Sequence, residues 1–472
     1  MADDVKVVPR EGLVGTLSRL RDSGYRMPLD VTCVDRSRLP GAEGPRFEVV
    51  YHLRSMPGGD AVRVKVPVEE SDPVVPTATG VFKGLSWFER EVFDMFGVRF
   101  EGHPDMRRIL LYPEFVGHPL RKDYPRRGYQ PLMDMPRIDG EEVPAPPGPR
   151  PAASTPPPAA PDGMGRARGG GDQIMTINMG PSHPAMHGTV RMRVRLDGET
   201  VVSADPDIGF LHRGFEKMCE AGTWTKVIPF TDRLNYVSPL INNVGYCGAV
   251  ERMLGVDPTE RCKYVRVFCS EIARITDHLT AVGASALEIG AFTPFLWAMQ
   301  AREEIYYLIE FVTGARVTTS YTRIGGLRWD LPDGWQDRWL ACEGRLLRLM
   351  DDISALLTRN RIFIDRMADV GAIPGDDAIA WGWTGPCLRS AGVDWDLRKA
   401  RPYLVYDRME FDVPVGRNGD NYDRYLVRME EIRQSVRIVR QVIRDIPDGP
   451  VNVDDWGVVL PPKDAAYNTI EG

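Results

Sequence analysis

The chain has 472 residues, 43% of them hydrophobic and 26% charged, the make-up of a soluble globular protein too long for one ordinary domain. A net charge of −7 with no long basic run excludes nucleic acid as the expected partner. Seven scattered cysteines, none in a CxxC pair, exclude a disulfide framework or a zinc ribbon and suit a reducing compartment.

The N-terminus, MADDVKVVPREG, lacks the apolar stretch of a secretory signal. FEVVYHLRS and AVRVKVPVE, residues 47–55 and 61–69, alternate as strands should, with MPGGD between them as a turn. In SWFEREVFDMFGVRF, Phe88, Val92, Met95 and Phe96 recur at helical spacing until Gly97 ends the run. Residues 1–137 are therefore predicted to form an α+β domain. The tract IDGEEVPAPPGPRPAASTPPPAAPDGMGRARGGGD, residues 138–172, is rich in proline, alanine and glycine. It buries too little apolar area to fold and is expected to be a flexible linker.

The second unit, residues 173–472, opens with TVRMRVRLDGETVVSAD, a β hairpin turning at Asp197-Gly198. Helices are predicted over 259–283, 295–314, 336–368 and 421–445, the first capped by Thr259 with Asp257 and Glu260 nearby. Long helices without intervening strands predict a helical bundle. The most membrane-like stretch, residues 279–299, is interrupted by Glu288 and Pro294. A lipid-facing carboxylate is expensive, so a buried segment is expected there instead of a span. The fold class is multidomain α+β: a small domain, a linker, then a larger domain of hairpin and bundle.

MGPSHPAMHG, residues 179–188, sets His183 and His187 four apart, the spacing at which a helix offers a metal two ligands. Pro181, Pro184 and Gly188 break helices, so a rigid irregular loop is predicted, either aiming an imidazole into a cavity or merely satisfied by its own backbone. PFTDRLNYVSP, residues 229–239, interleaves Asp232, Arg233 and Asn235 with apolar residues and carries Tyr236. It is either a site segment or a helix start whose tyrosine packs in the core. Glu288 is a carboxylate in an apolar run, rare unless paired or functional. GFLHRGFEK, residues 209–217, adds Arg213 and Glu216, or else is a turn with solvated charges. No Walker loop, dinucleotide fingerprint, GxSxG elbow or HExxH occurs. An imidazole, a phenol, a guanidinium and a carboxylate, with no nucleophile triad and no metal cluster, suit a two-electron, two-proton acceptor such as a quinone. Each carbonyl oxygen then needs a donor that delivers a proton as charge develops. A phenol (ordinary pKa about 10) protonates only a strongly basic reduced oxygen, whereas an imidazole (about 6.5) cycles near neutrality.

GPSHPAMHG, DIGFLHRGFEK, FTDRLNYVSP, EIGAFTPFLWAMQAREEIY, TGPCLRSAGVDWDLRKARPY and GDNYDRYLVRMEEIRQS together resemble the D subunit of NADH:quinone oxidoreductase, respiratory complex I. WFEREVFDMFGV, GHPDMRRILL and GHPLRKDYP resemble its C subunit, so the chain looks like a C–D fusion. The resemblance implies that His187 and Tyr236 hold the quinone headgroup, with His183, Asp232 and Arg233 in support. It implies that Glu288 stands where members often carry an aspartate paired with the quinone histidine. Arg213 is then placed near a 4Fe-4S cluster held by a neighbouring B-type subunit, this chain itself binding no cofactor or metal. The expected partners are quinone and the B-type, I-type ferredoxin-like, H-type membrane and G-type subunits. The expected location is peripheral, on the cytoplasmic side of the bacterial inner membrane, with activity only in the assembled complex. Thr318 falls where several members carry a histidine that couples cluster reduction to protonation. The chain ends at AAYNTIEG, tens of residues before members end, so its C-terminal end is expected to be incomplete. Nickel–iron hydrogenase large subunits are the related alternative, but the place of their N-terminal cysteine pair reads DRLNYVSP here. A non-catalytic scaffold is the third reading.

Overall fold

The computed structural model describes residues 4–128, 130, 174–454 and 470–471; the proline-rich tract lies outside them. In the first unit, β1 (Asp4–Val7), β2 (Met27–Asp35), β3 (Phe47–Arg54) and β4 (Ala61–Val68) form one sheet in the order β1-β4-β3-β2. The β2-β3-β4 pairings are antiparallel and β1 runs parallel to β4. Val62, Val64, Val66 and Val68 alternate inward along β4, as the sequence pattern predicts. They meet Leu13 and Leu17 of α1 (Leu13–Asp22) and Val92 and Met95 of α2 (Leu85–Phe96) in one core. Gly97 ends α2 in the left-handed conformation, at the predicted position.

The buried carboxylate of Asp94 explains how GHPDMRRILL is held. Its Oδ2 accepts from the backbone N–H groups of Ile109 (3.1 Å), Leu110 (2.9 Å) and Leu111 (2.9 Å), and its Oδ1 from Arg108 (2.5 Å). One side chain thereby satisfies three backbone donors that have no strand to pair with.

The first unit also holds a two-stranded pair, β5-β6 (Val74–Pro76, Arg99–Glu101), and the second opens with a three-stranded antiparallel sheet, β7-β8-β9 (Ile174–Met179, Arg191–Asp197, Thr200–Asp207). The hairpin turn falls one residue later than expected, at Gly198-Glu199 between the paired Asp197 and Thr200, and Gly198 takes positive φ. Short helices α3 (Phe215–Glu220) and α4 (Trp224–Thr231) lead into α5 (Pro239–Leu254). The bundle proper is α6 (Glu260–Glu288), α7 (Phe292–Thr313), α8 (Trp335–Leu357) and, after the short helices α9 (Arg361–Met367), α10 (Gly375–Ala380), α11 (Gly385–Ser390) and α12 (Leu397–Ala400), the long α13 (Asn421–Asp445). Thr259 caps α6 by accepting from Cys262 N (3.3 Å). The single helix expected over 336–368 is two, because Asn360 accepts from Ile362 N and Phe363 N and starts α9 afresh.

The membrane-like stretch 279–299 also divides, at residues 289–291. Among the described residues no helix is long and apolar enough to cross a membrane.

Helix α6 lies at the centre of the bundle core and carries charge inside it. Glu271 is fully buried, meets Arg398 and Arg274, and accepts from Tyr406 Oη (2.6 Å) and Ser435 Oγ (2.6 Å). Burial alone would push Glu271 up, but the two guanidinium groups hold it below the usual carboxylate range. One face over, His278 Nε2 lies 2.7 Å from Glu431, which Arg389 also holds (2.6 Å).

The two units share a seam. Met27 and Met56 pack with Ile379, Leu388, Trp395 and Leu397. Arg26 pairs with Asp376 (2.7 Å), and Arg107 with Asp205 (3.3 Å). The GHPLRKDYP tail returns to the end of α2, Leu120 N donating to Met95 O (3.0 Å) and Arg121 Nε to Phe96 O (2.6 Å). Its far side meets α3 through Lys217, which donates to Arg121 O (2.7 Å), and through Lys122 with Glu220.

Candidate functional site

GPSHPAMHG is a compact loop rather than a helix. Ser182 and Thr189 bridge its neck, and Pro184–Met186 form a single 3₁₀ turn closed by Met186 N donating to His183 O (3.1 Å). Gly180 has φ of 92°, and a Cβ there would strike the Val190 carbonyl, so only glycine lets the strand end fold so tightly. His187 takes φ of 46°, a left-handed conformation that an L residue adopts at a cost. The strain aims its imidazole at Glu288: Nε2 lies 2.7 Å from Oε1.

Glu288 is the last residue of α6 and, against the expectation of a buried carboxylate, its side chain is 36% exposed and that of His187 40%. The physical reason is the break in the apolar stretch: α6 stops here and its end opens outward. Gly290 donates to Leu287 O (3.0 Å) and Ala291 to Ala286 O (2.8 Å), with Gly290 at φ 90°. This pair of turns is the Schellman ending of a helix. Arg366 of α9 donates to Ile289 O beside it, placing a cation where the helix dipole favours one.

Tyr236 is 62% exposed, which rejects the core-packing alternative. Its backbone is pinned on both sides. Asn235 accepts from Val237 N (3.3 Å) and donates to Asp277 of α6 (3.2 Å), and the neighbouring Thr276 hydroxyl donates to Val237 O (3.0 Å). Asp277 and Glu288 are eleven residues apart, three turns to within about 20°, so one face of α6 serves both segments.

The remaining candidates are placed around these. Asp232 is fully buried and turns inward, accepting from Ser320 N (3.2 Å) and from the Ser320 hydroxyl. It thus ties the DRLNY segment to GARVTTSY, where Thr318 and Ser320 both have positive φ. Arg233 donates to Pro229 O (2.6 Å), closing the end of α4. Arg213 is exposed and stacks over Phe230, 5.6 Å from the ring centroid. His183 is exposed, its carbonyl serving the loop's turn. Sequence reasoning missed Thr276, Asp277 and Arg366; only Asn235, an ordinary turn former, signalled the pinned segment.

Residues 6–130 match the family model for the 30 Kd subunit of respiratory-chain NADH dehydrogenase, and residues 288–472 that for its 49 Kd subunit. The NADH-quinone oxidoreductase C/D subunit of Bdellovibrio bacteriovorus is 45% identical over 473 positions, covering 100% of this chain and 80% of that protein. Its counterpart in Methylococcus capsulatus is 39% identical, covering 98% and 79%. The D subunit of Myxococcus xanthus is 57% identical over 298 residues, covering 63% of this chain and 72% of that protein. The class is thus that of respiratory-chain NADH dehydrogenase subunits in which the 30 Kd and 49 Kd parts are joined. The chain belongs to the C/D family of NADH-quinone oxidoreductase subunits. It is a peripheral-arm subunit of that complex, its partners include the other subunits, and the hydrogenase and scaffold alternatives are not favoured.

Proposed function

We propose that this chain forms much of the cavity in which the complex reduces quinone, with His187 and Tyr236 as the two headgroup donors. The observation that carries the reading is the His187–Glu288 contact, made by a strained backbone at an exposed helix end. Strain is tolerated where a side chain must be aimed. Reduction of a quinone to its quinol takes up two electrons and two protons. The electrons would come from a 4Fe-4S cluster held by a neighbouring B-type subunit, near which the exposed Arg213 would lie. His187 donates to one carbonyl oxygen as charge develops there, and Glu288 stabilises the imidazolium before that step. Tyr236 donates to the other oxygen once reduction has made it basic. Asp232 and Arg233 keep the tyrosine segment in shape, and His183 the histidine loop. The I-type, H-type and G-type subunits complete the surroundings, on the cytoplasmic side of a bacterial inner membrane.

Tyr236→Phe in membranes carrying the assembled complex tests this, because it removes one hydroxyl and little else. NADH-driven quinone reduction is expected to fall about a hundredfold while reduction of an artificial acceptor by NADH persists. An unchanged quinone rate sinks the donor role. A parallel fall in both rates returns the segment to assembly.

A further inference from the structure

Tyr236 presents an exposed phenol on a backbone that is anything but free. Asn235 uses both ends of its amide: Oδ1 accepts from Val237 N (3.3 Å) and Nδ2 donates to Asp277 (3.2 Å). The Asn235 carbonyl accepts from Asn242 Nδ2 (3.1 Å) and from Ser238 N (3.2 Å). On the other side of the tyrosine, the Val237 carbonyl accepts from Thr276 Oγ1 (3.0 Å), a hydroxyl shared with Ala273 O (2.8 Å). Consecutive residues of one long helix therefore hold the residues immediately before and after Tyr236. The same helix ends, about 16 Å further along its axis, in the carboxylate that meets His187.

We propose that Asp277, with Thr276, is the positioning pair for Tyr236, and that α6 thereby sets the separation of the phenol from the imidazole. The inference rests on the quinone reading given above. Asp277 touches no substrate; it acts through the Asn235 amide, which orients the peptide units on which the phenol rides. Positioning of a donor by a rigid element preserves the reactive geometry when the substrate arrives.

The test uses the assembled complex in membranes, with a short-chain ubiquinone analogue as probe and an artificial acceptor as control. Asp277→Leu removes the acceptor, whereas Asp277→Asn keeps an oxygen that Asn235 can still reach. The quinone kcat is expected to fall about three- to tenfold in Asp277→Leu, the effect of one lost hydrogen bond, and to stay near the parent in Asp277→Asn. Adding Asp277→Leu to Tyr236→Phe should lower the rate no further than Tyr236→Phe alone. Thr276→Val, which removes the second tether with little change of shape, should reproduce the fall if Asp277→Leu does not assemble. The proposal is overturned by a parental rate in Asp277→Leu or, should that variant not assemble, in Thr276→Val. It is equally overturned by an Asn variant as slow as the Leu variant, or by losses that multiply in the double variant. A slow Tyr236→Phe with a parental Asp277→Leu leaves the quinone reading standing and removes only this pair. A parental Tyr236→Phe removes the donor role itself, and any loss in Asp277→Leu then has another origin.

Discussion

Glu288 meets His187 at 2.7 Å with the full length of a glutamate side chain. Its Cα cannot move to make up a shortfall, because the Gly290 and Ala291 turns and the Arg366 contact fix the helix end. Glu288→Asp keeps the charge and shortens the reach by one methylene, about 1.5 Å. Glu288→Gln keeps the reach and removes the charge. Each is expected to lower the quinone rate, the Asp variant by about tenfold, since proton delivery depends on hydrogen-bond distance. A parental rate in Glu288→Asp, with complex content unchanged, would show that direct contact is not what the site uses.

At the scale of elements, α6 does two jobs on different faces, and its inner face is charged. Burial would raise the Glu431 carboxyl, but Arg389 and His278 outweigh it and hold the group well below its ordinary range. A carboxylate depressed in the folded state adds stability above its unfolded pKa of about 4.3 and loses it as pH falls through the folded value. Glu431→Gln removes one of the two carboxylates that Arg389 contacts directly in the interior, Glu471 (2.7 Å) being the other, and breaking a buried ion pair costs about 3–5 kcal/mol. Urea unfolding at neutral pH should show that loss, and the gap to the parent should narrow below about pH 4; a gap independent of pH contradicts the charge argument. None of this was legible in the sequence, which marks local pattern and not partners. The strands Phe47–Arg54 and Ala61–Val68, helix Leu85–Phe96 and, to within one residue, the hairpin turn at Gly198 were legible because alternation, helical spacing and a left-handed glycine write each one locally. Helix α5 was not, since Asn242, Asn243, Gly245 and Gly248 dilute its period and packing against α6 stabilises it instead. The same holds for the site. His187 and Tyr236 stand in distinctive segments, but Asp277 is an acid on a helix whose partner lies 42 positions away.

At the scale of the molecule, the two units meet across a seam with an acidic centre. Asp30 of β2, Glu91 of α2 and Glu216 of α3 lie together there, and Glu216 Oε2 is buried without a hydrogen-bond partner among the described residues. Burial, then the charges of Asp30, Glu216 and Asp94, push the Glu91 carboxyl up to about 7; burial pushes Asp30 to about 6. Between an unfolded pKa of about 4.3 and these values the closed seam holds protons that an opened seam releases. Stability is therefore fully present at the acid end and falls as pH rises towards neutrality, the opposite of the Glu431 case. Ion pairs such as Arg26–Asp376 and Arg107–Asp205 cross the seam, but they are exposed and contribute little each. Glu91→Gln keeps the shape and cannot ionise, so the thermal midpoint should lose much of its decline between about pH 5 and 7. The variant should also be the more stable form at the upper end of that range. An unaltered slope in Glu91→Gln would mean that the seam opens without exposing these carboxylates. The decline would then have another origin, because the depressed carboxyls of Glu271 and Glu431 in the bundle interior contribute the reverse sign and at more acid pH.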